Sequence, residues 1–146
     1  MPLVDLNTAI AHLRAEAGDP RVQPLLDAAE RFAFELLDRN VYADAGALST
    51  AIAAAPAALA AAKAAYDAAM IAAATLTDCE LRAKAEDYAA SAWRAAQAAS
   101  DRAQFGIVLN ADITAGILLQ LEHLYDGSDT DKAAAALLQP YRRLGA

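Results

Sequence analysis

The chain is poor in the residues that mark special chemistry. It has one cysteine, one tryptophan and two histidines in 146 residues, and its 12 bases are outnumbered by 19 acids. Each shortage excludes something. The lone Cys79 leaves no intrachain disulfide and fits a reducing compartment, where a small apolar helix residue is a plainer reading of it than a reactive thiol. The acid excess gives a net charge of −7. That argues against a general nucleic-acid-binding surface, which needs clustered Lys and Arg to displace counterions. The opening "MPLVDLNTAIAHLR" has neither a charged leading region nor an apolar run, so no secretory leader is expected. No stretch of about 18 apolar residues escapes charge or a helix breaker, so no membrane span is expected, and the chain reads as soluble and made in the cytoplasm. The hydrophobic share of 58% is half alanine, a helix former more than a membrane residue.

What is present is helical periodicity. Asp5 is placed to cap a short helix with Leu6, Ile10 and Leu13 on one face. Gly18-Asp19-Pro20 breaks it, and Asp19 and Pro20 suit the cap and first turn of the next helix, although Pro24 removes a donor inside that turn. Val22, Leu25, Leu26, Ala29, Ala33, Leu36 and Leu37 then form one stripe. Asp27–Arg31 and Glu35–Arg39 are acid-first pairs four residues apart on its polar side. Phe32 and Phe34 cannot both join the stripe, so one is expected against a neighbouring element or another subunit. Residues 38–46, "DRNVYADAG", read as a connector.

From Ala51 to Ala103 roughly half of the positions are alanine, the composition of long helices. Leu48 and Ile52 mark a short helix that Pro56 ends or restarts. Leu59, Ala62, Tyr66, Ala69, Ala73 and Leu76 recur at spacings of three and four, a heptad seam. Thr77 with Glu80 reads as a capping box for the next helix, with Asp78–Arg82 and Glu80–Lys84 as further acid-first pairs. Leu81, Ala85, Tyr88, Ala92, Ala96, Ala99 and Ala103 form a second seam. The two helices read as an antiparallel hairpin, on the order of 30–40 Å long, with close approach at Ala69 and Ala92. "FGIVLN" (105–110) supplies at most one short strand. Asn110 caps the most apolar helix, with Ile113, Ile117, Leu121 and Leu124 on one face, widened by Leu118 and Tyr125. "DGSDTD" (126–131) is a turn, and "KAAAALL" a last short helix stopped by Pro140. The fold class expected is all-α: a single domain over 1–146, a helical bundle with a long alanine-rich hairpin at about 51–105 inserted between core helices.

No catalytic pattern emerges. His12 and His123 have no second ligand at helical spacing, and Glu122, adjacent to His123, points to a different helix face. "DGSDTD" lacks the ordered ligand positions and distal Glu of a calcium loop. There is no glycine-rich phosphate loop, no GxSxG and no Ser/His/Asp set in context. Tyr66, Tyr88 and Trp93 fall within or beside the seams, as core or subunit-contact aromatics. No enzyme, no cofactor and no metal are expected.

Three segments carry a resemblance. "LNTAIAHLRAEAGDPRVQPLLDAAERFAFELLDRNVY" (6–42) contains a short helix ending in His-Leu-Arg, an acidic break and a helix with LLDAA. "GILLQLEHLYDG" (116–127) is an apolar helix ending in His-Leu-Tyr, and "ALLQPYRRL" (136–144) closes the chain with Leu-Leu-x-Pro-Tyr-Arg. In this order, over roughly half the chain, they resemble the head–tail connector (adaptor) proteins of long-tailed bacteriophages and prophages. The pattern departs at Asp126-Gly127-Ser128-Asp129, where the family commonly has Glu-Asn-Arg-Glu, and in the enlarged hairpin. The resemblance implies a structural virion protein made in the bacterial host cytoplasm and located in the neck. It would form a homo-oligomeric, dodecameric ring below the portal protein, prolong the DNA channel and meet a tail or head-completion (stopper) protein. Duplex DNA would pass without sequence-specific binding, and no membrane is involved. The portal contact would fall to the closing segment, Leu137, Leu138, Pro140, Tyr141, Arg142 and Arg143. After Asp131 the chain has no acid, and Pro140 suggests an arm free to dock. Tyr141 packed on its own domain is the plainer alternative. A helical protein-binding or regulatory module, and a small all-α enzyme, are the competing functions.

Overall fold

The computed structural model describes residues 3–143. It is 76% helical, and its only strands among the described residues hold two residues each, so the chain is all-α. It divides into two compact units: residues up to 45 together with those from 106 on, and the inserted segment Gly46–Phe105.

The first unit begins where sequence chemistry places it. The Asp5 carboxylate accepts from the Thr8 amide at 3.0 Å and caps α1, Leu6–Leu13. Asp19 then accepts from the Arg21 amide at 2.9 Å, organising the break before α2, Val22–Leu37. Five members of the expected stripe, Val22, Leu26, Ala29, Ala33 and Leu37, are fully buried, and Leu25 and Leu36 pack beside them. Both Phe32 and Phe34 are half-buried and pack against the same core. Glu30 is a buried acid that the stripe did not include. Its carboxylate accepts from the Leu3 and Val4 amides at 2.7 and 2.9 Å, which ties the N-terminal segment to α2.

The connector holds more than coil. Val41–Tyr42 is a strand, β1, paired in parallel with β2, Ile107–Val108, in the register Val41 to Ile107. The expectation of at most one strand therefore becomes two. A parallel pair needs a long crossover connection, and the inserted segment is that connection. Asn110 caps α5, Ala111–Asp126, by accepting from the Ile113 amide at 2.9 Å. Ile113, Ile117 and Leu121 are completely buried, whereas Leu124 is exposed. α5 packs on α2 and on α6, Asp131–Leu138. Gly116 makes the second contact close: a Cβ there would lie 2.9 Å from Cγ of Leu138. Gly127 ends α5 in the left-handed region, φ 76°, its amide bonded to the His123 carbonyl.

In the second unit, α3, Ala45–Ala74, runs straight through Pro56, so the expected short helix before it does not exist separately. Proline removes one amide donor, but alanine on both sides favours the helix strongly enough to carry it past the gap. The continuous helix is long and apolar enough, by length and composition alone, to cross a membrane. Every residue of its expected seam is buried or half-buried. α4, Cys79–Gln104, is capped by Asp78, whose carboxylate accepts from Glu80 and Leu81 amides; Thr77 is not the cap. The Arg82 guanidinium donates to the Leu76 carbonyl at 2.6 Å and closes the turn, in place of the expected pair with Asp78.

The second seam is shifted. Ala85, Ala89, Trp93, Ala96, Ser100 and Ala103 face α3, while Leu81, Tyr88, Ala92 and Ala99 are exposed. Size and polarity do not mark the buried face: the large Tyr88 is exposed, and the polar Ser100 is buried. Close approach at Ala92 is thereby excluded. Tyr66 and Trp93, with ring centroids 6.2 Å apart, join the two helices midway.

Candidate functional site

The first two resembling segments meet in the first unit. His12, at the end of α1, lies 3.2 Å from the Glu122 carboxylate on α5 through its Nε2. Asp19, in the break after α1, accepts the Tyr125 hydroxyl at 2.8 Å and the Arg21 guanidinium at 2.8 Å. Arg21 also donates to the Tyr125 oxygen at 2.8 Å and lies over its ring, 4.7 Å from the centroid. The result is a closed three-residue network in which one cation serves an acid and a phenol.

Its electrostatics follow from that geometry. Donation by the Arg21 side chain, then its backbone N–H and the Tyr125 hydroxyl, holds the Asp19 carboxyl well below the usual carboxylate range. The hydrogen bond to Asp19, with some desolvation, raises the Tyr125 phenol above its ordinary value. Beside the network lies a polar cleft lined by Arg14, Glu16, Asp19, Arg21 and Tyr125, and adjoining it a smaller one with His12, Arg14, Glu122 and Asp126. In the sequence these residues mark separate helices and the break between them. Asp19 and Tyr125 are 106 positions apart, and nothing local signals such a pair.

The turn after α5 is knitted internally. Asp126 accepts from the Ser128 amide at 2.9 Å, the Ser128 carbonyl lies 2.7 Å from His123 Nδ1, and Thr130 donates to the Leu119 carbonyl at 2.8 Å. Among the described residues no group of three His, Cys, Asp or Glu side chains gathers as a metal site.

The closing segment is part of the fold through Arg143. Leu138 is fully buried against α5, so it cannot contact a partner while the fold is intact. Pro140 does stop α6, but Gln139–Tyr141 continues as a 3-10 turn that brings Tyr141 back onto the core. The Tyr141 hydroxyl donates to the Asp112 carboxylate at 2.6 Å, and the Arg143 amide to the Leu37 carbonyl at 2.9 Å. That hydrogen bond, first, and desolvation raise the Tyr141 phenol above its ordinary value. Expected as a free arm, residues 139–143 are instead stitched to α2 and α5. Of the six residues proposed to dock, Pro140 and Arg142 are exposed, and Leu137 and Arg143 are half-buried. Leu144, the last residue of the resembling segment, lies outside the described residues. No family model, no curated protein and no solved structure matches this chain.

Proposed function

We propose that this chain is a structural assembly protein, a head–tail connector of a long-tailed bacteriophage or prophage, without catalytic activity. In this reading copies form a ring, dodecameric by resemblance, below a portal protein in the virion neck, and the ring prolongs the DNA channel toward a tail or head-completion protein. The observation that supports it most is convergence. The His-Leu-Arg of residues 12–14 and the His-Leu-Tyr of residues 123–125 lie far apart in the sequence, yet the contacts His12–Glu122 and Asp19–Tyr125 bring their surroundings together. The closing Leu-Leu-x-Pro-Tyr-Arg enters the same core through Leu138 and Tyr141. A shared packing role gives a physical reason for three short motifs to occur in one order.

The portal-facing surface is then Pro140 and Arg142, the exposed ones among the six residues expected to dock, where an arginine can make bidentate bonds to a partner's carboxylates. The acid excess of the subunit, net −7, suits a channel wall that duplex DNA passes without adhering. Native mass spectrometry of the purified chain, alone and with the portal protein encoded near it, tests the reading. A ring or a portal adduct supports it; a chain that binds no portal and forms no ring sinks it.

A further inference from the structure

One face of the inserted hairpin carries no charge along its whole length. At 100° per residue, Ala54, Ala58, Ala61, Ala65, Ala68 and Ala72 of α3 fall within an arc of roughly 80°, and all are exposed. On α4, Leu81, Tyr88, Ala92, Ala95 and Ala99 fall within roughly 60° and are exposed as well, Leu81 by 56% and Tyr88 by 76%. The two arcs lie on the same side, because Ala54, Ala58 and Ala99 line one shared groove of about 290 Å³. Lys84 and Arg102 border the α4 arc, about 20° beyond Ala95, while Lys63, Asp67, Glu86, Asp87 and Arg94 fall on the other side or the back.

A second observation makes this face more than a stripe of small residues. In Gly46–Phe105 the only buried described residues are Ala55, Ala73, Ala89 and Ser100; every fully buried large side chain belongs to the other unit. Two helices touching through alanine, Leu59, Leu76 and one aromatic pair, none of the large side chains fully buried, bury little, and isolated helical hairpins need tertiary packing to persist. We infer that the hairpin's uncharged face packs against the same face of a second copy of this chain, antiparallel, completing a four-helix bundle.

The occupant follows from self-complementarity. The face has large knobs toward one end, Leu81 and Tyr88, and a groove of small residues toward the other. A two-fold axis crossing α4 between Trp93 and Arg94 sets Tyr88 opposite Ala99 of the second copy and Ala92 opposite its Ala95. That axis falls close to the middle of Cys79–Gln104, so nearly the whole helix overlaps. It also lays the alanine face of α3 against itself, where small side chains allow close approach. A face about 39 Å long and two helices wide covers on the order of 700 Å² per copy, close to the roughly 800 Å² per partner of a standard stable interface. Two subunits of net charge −7 repel, and a charge-free face is where such subunits can meet.

The inference is read from the hairpin alone and does not rest on the connector reading: a two-fold contact is isologous and distinct from the head-to-tail contact that closes a ring. Sedimentation velocity of the full chain over a range of micromolar concentrations tests it. The wild type should self-associate. Ala92→Glu and Ala99→Glu, at exposed positions where glutamate favours helix, should keep the far-UV circular dichroism and weaken association roughly tenfold or more. Gln97→Glu, outside the face, should not. In a Cys79→Ser background, a mixture of Tyr88→Cys and Ala99→Cys chains should form the mixed disulfide faster than either forms its own, which tests the register without added charge. A monomeric wild type, unaltered association in both glutamate variants, or preferential Tyr88→Cys self-coupling would each overturn it. So would a monomer that floats with phosphatidylcholine–phosphatidylglycerol vesicles, which would assign the face to lipid. Lost association with portal binding intact would support the pairing and leave the connector reading untouched.

Discussion

Single residues decide how the first unit closes. Gly116 permits α5 and α6 to touch, since a Cβ there would meet Cγ and Cδ2 of buried Leu138 at 2.9 and 3.0 Å. Gly116→Ala should therefore cost about 1–3 kcal/mol of stability by overpacking, despite alanine's better helix propensity. Urea unfolding at neutral pH reads it, and an unchanged midpoint would mean that α6 shifts freely. Asp19 makes a different kind of prediction. Its folded carboxyl is held low by Arg21 and Tyr125, so its contribution is present above the ordinary carboxylate range and is lost as pH falls through and below it. The Asp19→Asn chain should be less stable than wild type at neutral pH and converge with it in acid. At the alkaline end the phenols of Tyr125 and Tyr141 act in the opposite direction: both are raised, so what they add is present below their ordinary value and fades as pH rises through the raised one. A wild type and Asp19→Asn whose melting temperatures differ equally at pH 7 and pH 3 would contradict the network.

At the scale of elements, sequence and structure agree where a strong local rule operates. Asp5 and Asn110 were readable as caps because a side-chain acceptor before an apolar run has few other uses. The α2 stripe and the Ile113–Ile117–Leu121 face were readable because one side of each is fully buried. Reading failed where two rules competed. Thr77 and Asp78 are both good caps, and the capping-box spacing favoured the wrong one; the carboxylate that accepts the Glu80 and Leu81 amides is Asp78. Asp78→Ala should accordingly cost about 0.5–2 kcal/mol and Thr77→Ala only a few tenths, as thermal melts of the two variants would show. The reverse ranking would restore Thr77 as cap. In α4, an alanine-rich helix has two apolar faces, so periodicity alone could not tell the face toward α3 from the one left open. Contacts such as Asp19–Tyr125 and the β1–β2 pair join distant positions, and no spacing rule reaches them.

Over the whole molecule, stability is unevenly placed. Leu26, Leu37, Ile113, Ile117, Leu121 and Leu138 are fully buried in the first unit, and the hairpin has nothing comparable. Amide exchange in the dissociated chain should be slowest in α2 and α5 and much faster through α3 and α4; uniform protection would contradict this division. The tail brings the parts of the fold together and is the last test. An arm would be removable without harm, but removing residues 139–146 takes away the packing of Tyr141, its bond to Asp112 and the Arg143–Leu37 backbone bond. The truncated chain should lose about 2–4 kcal/mol, read by circular dichroism melting, while keeping its helices. Arg142→Glu changes only an exposed side chain, so the melt should stay within about 0.5 kcal/mol of wild type. Under the proposed connector role, portal co-sedimentation of that variant then tests docking separately from folding. A stable Arg142→Glu chain that no longer sediments with the portal would make the tail's outer side the docking surface. Full binding would move docking elsewhere and leave the tail a purely structural closure of α2 and α5.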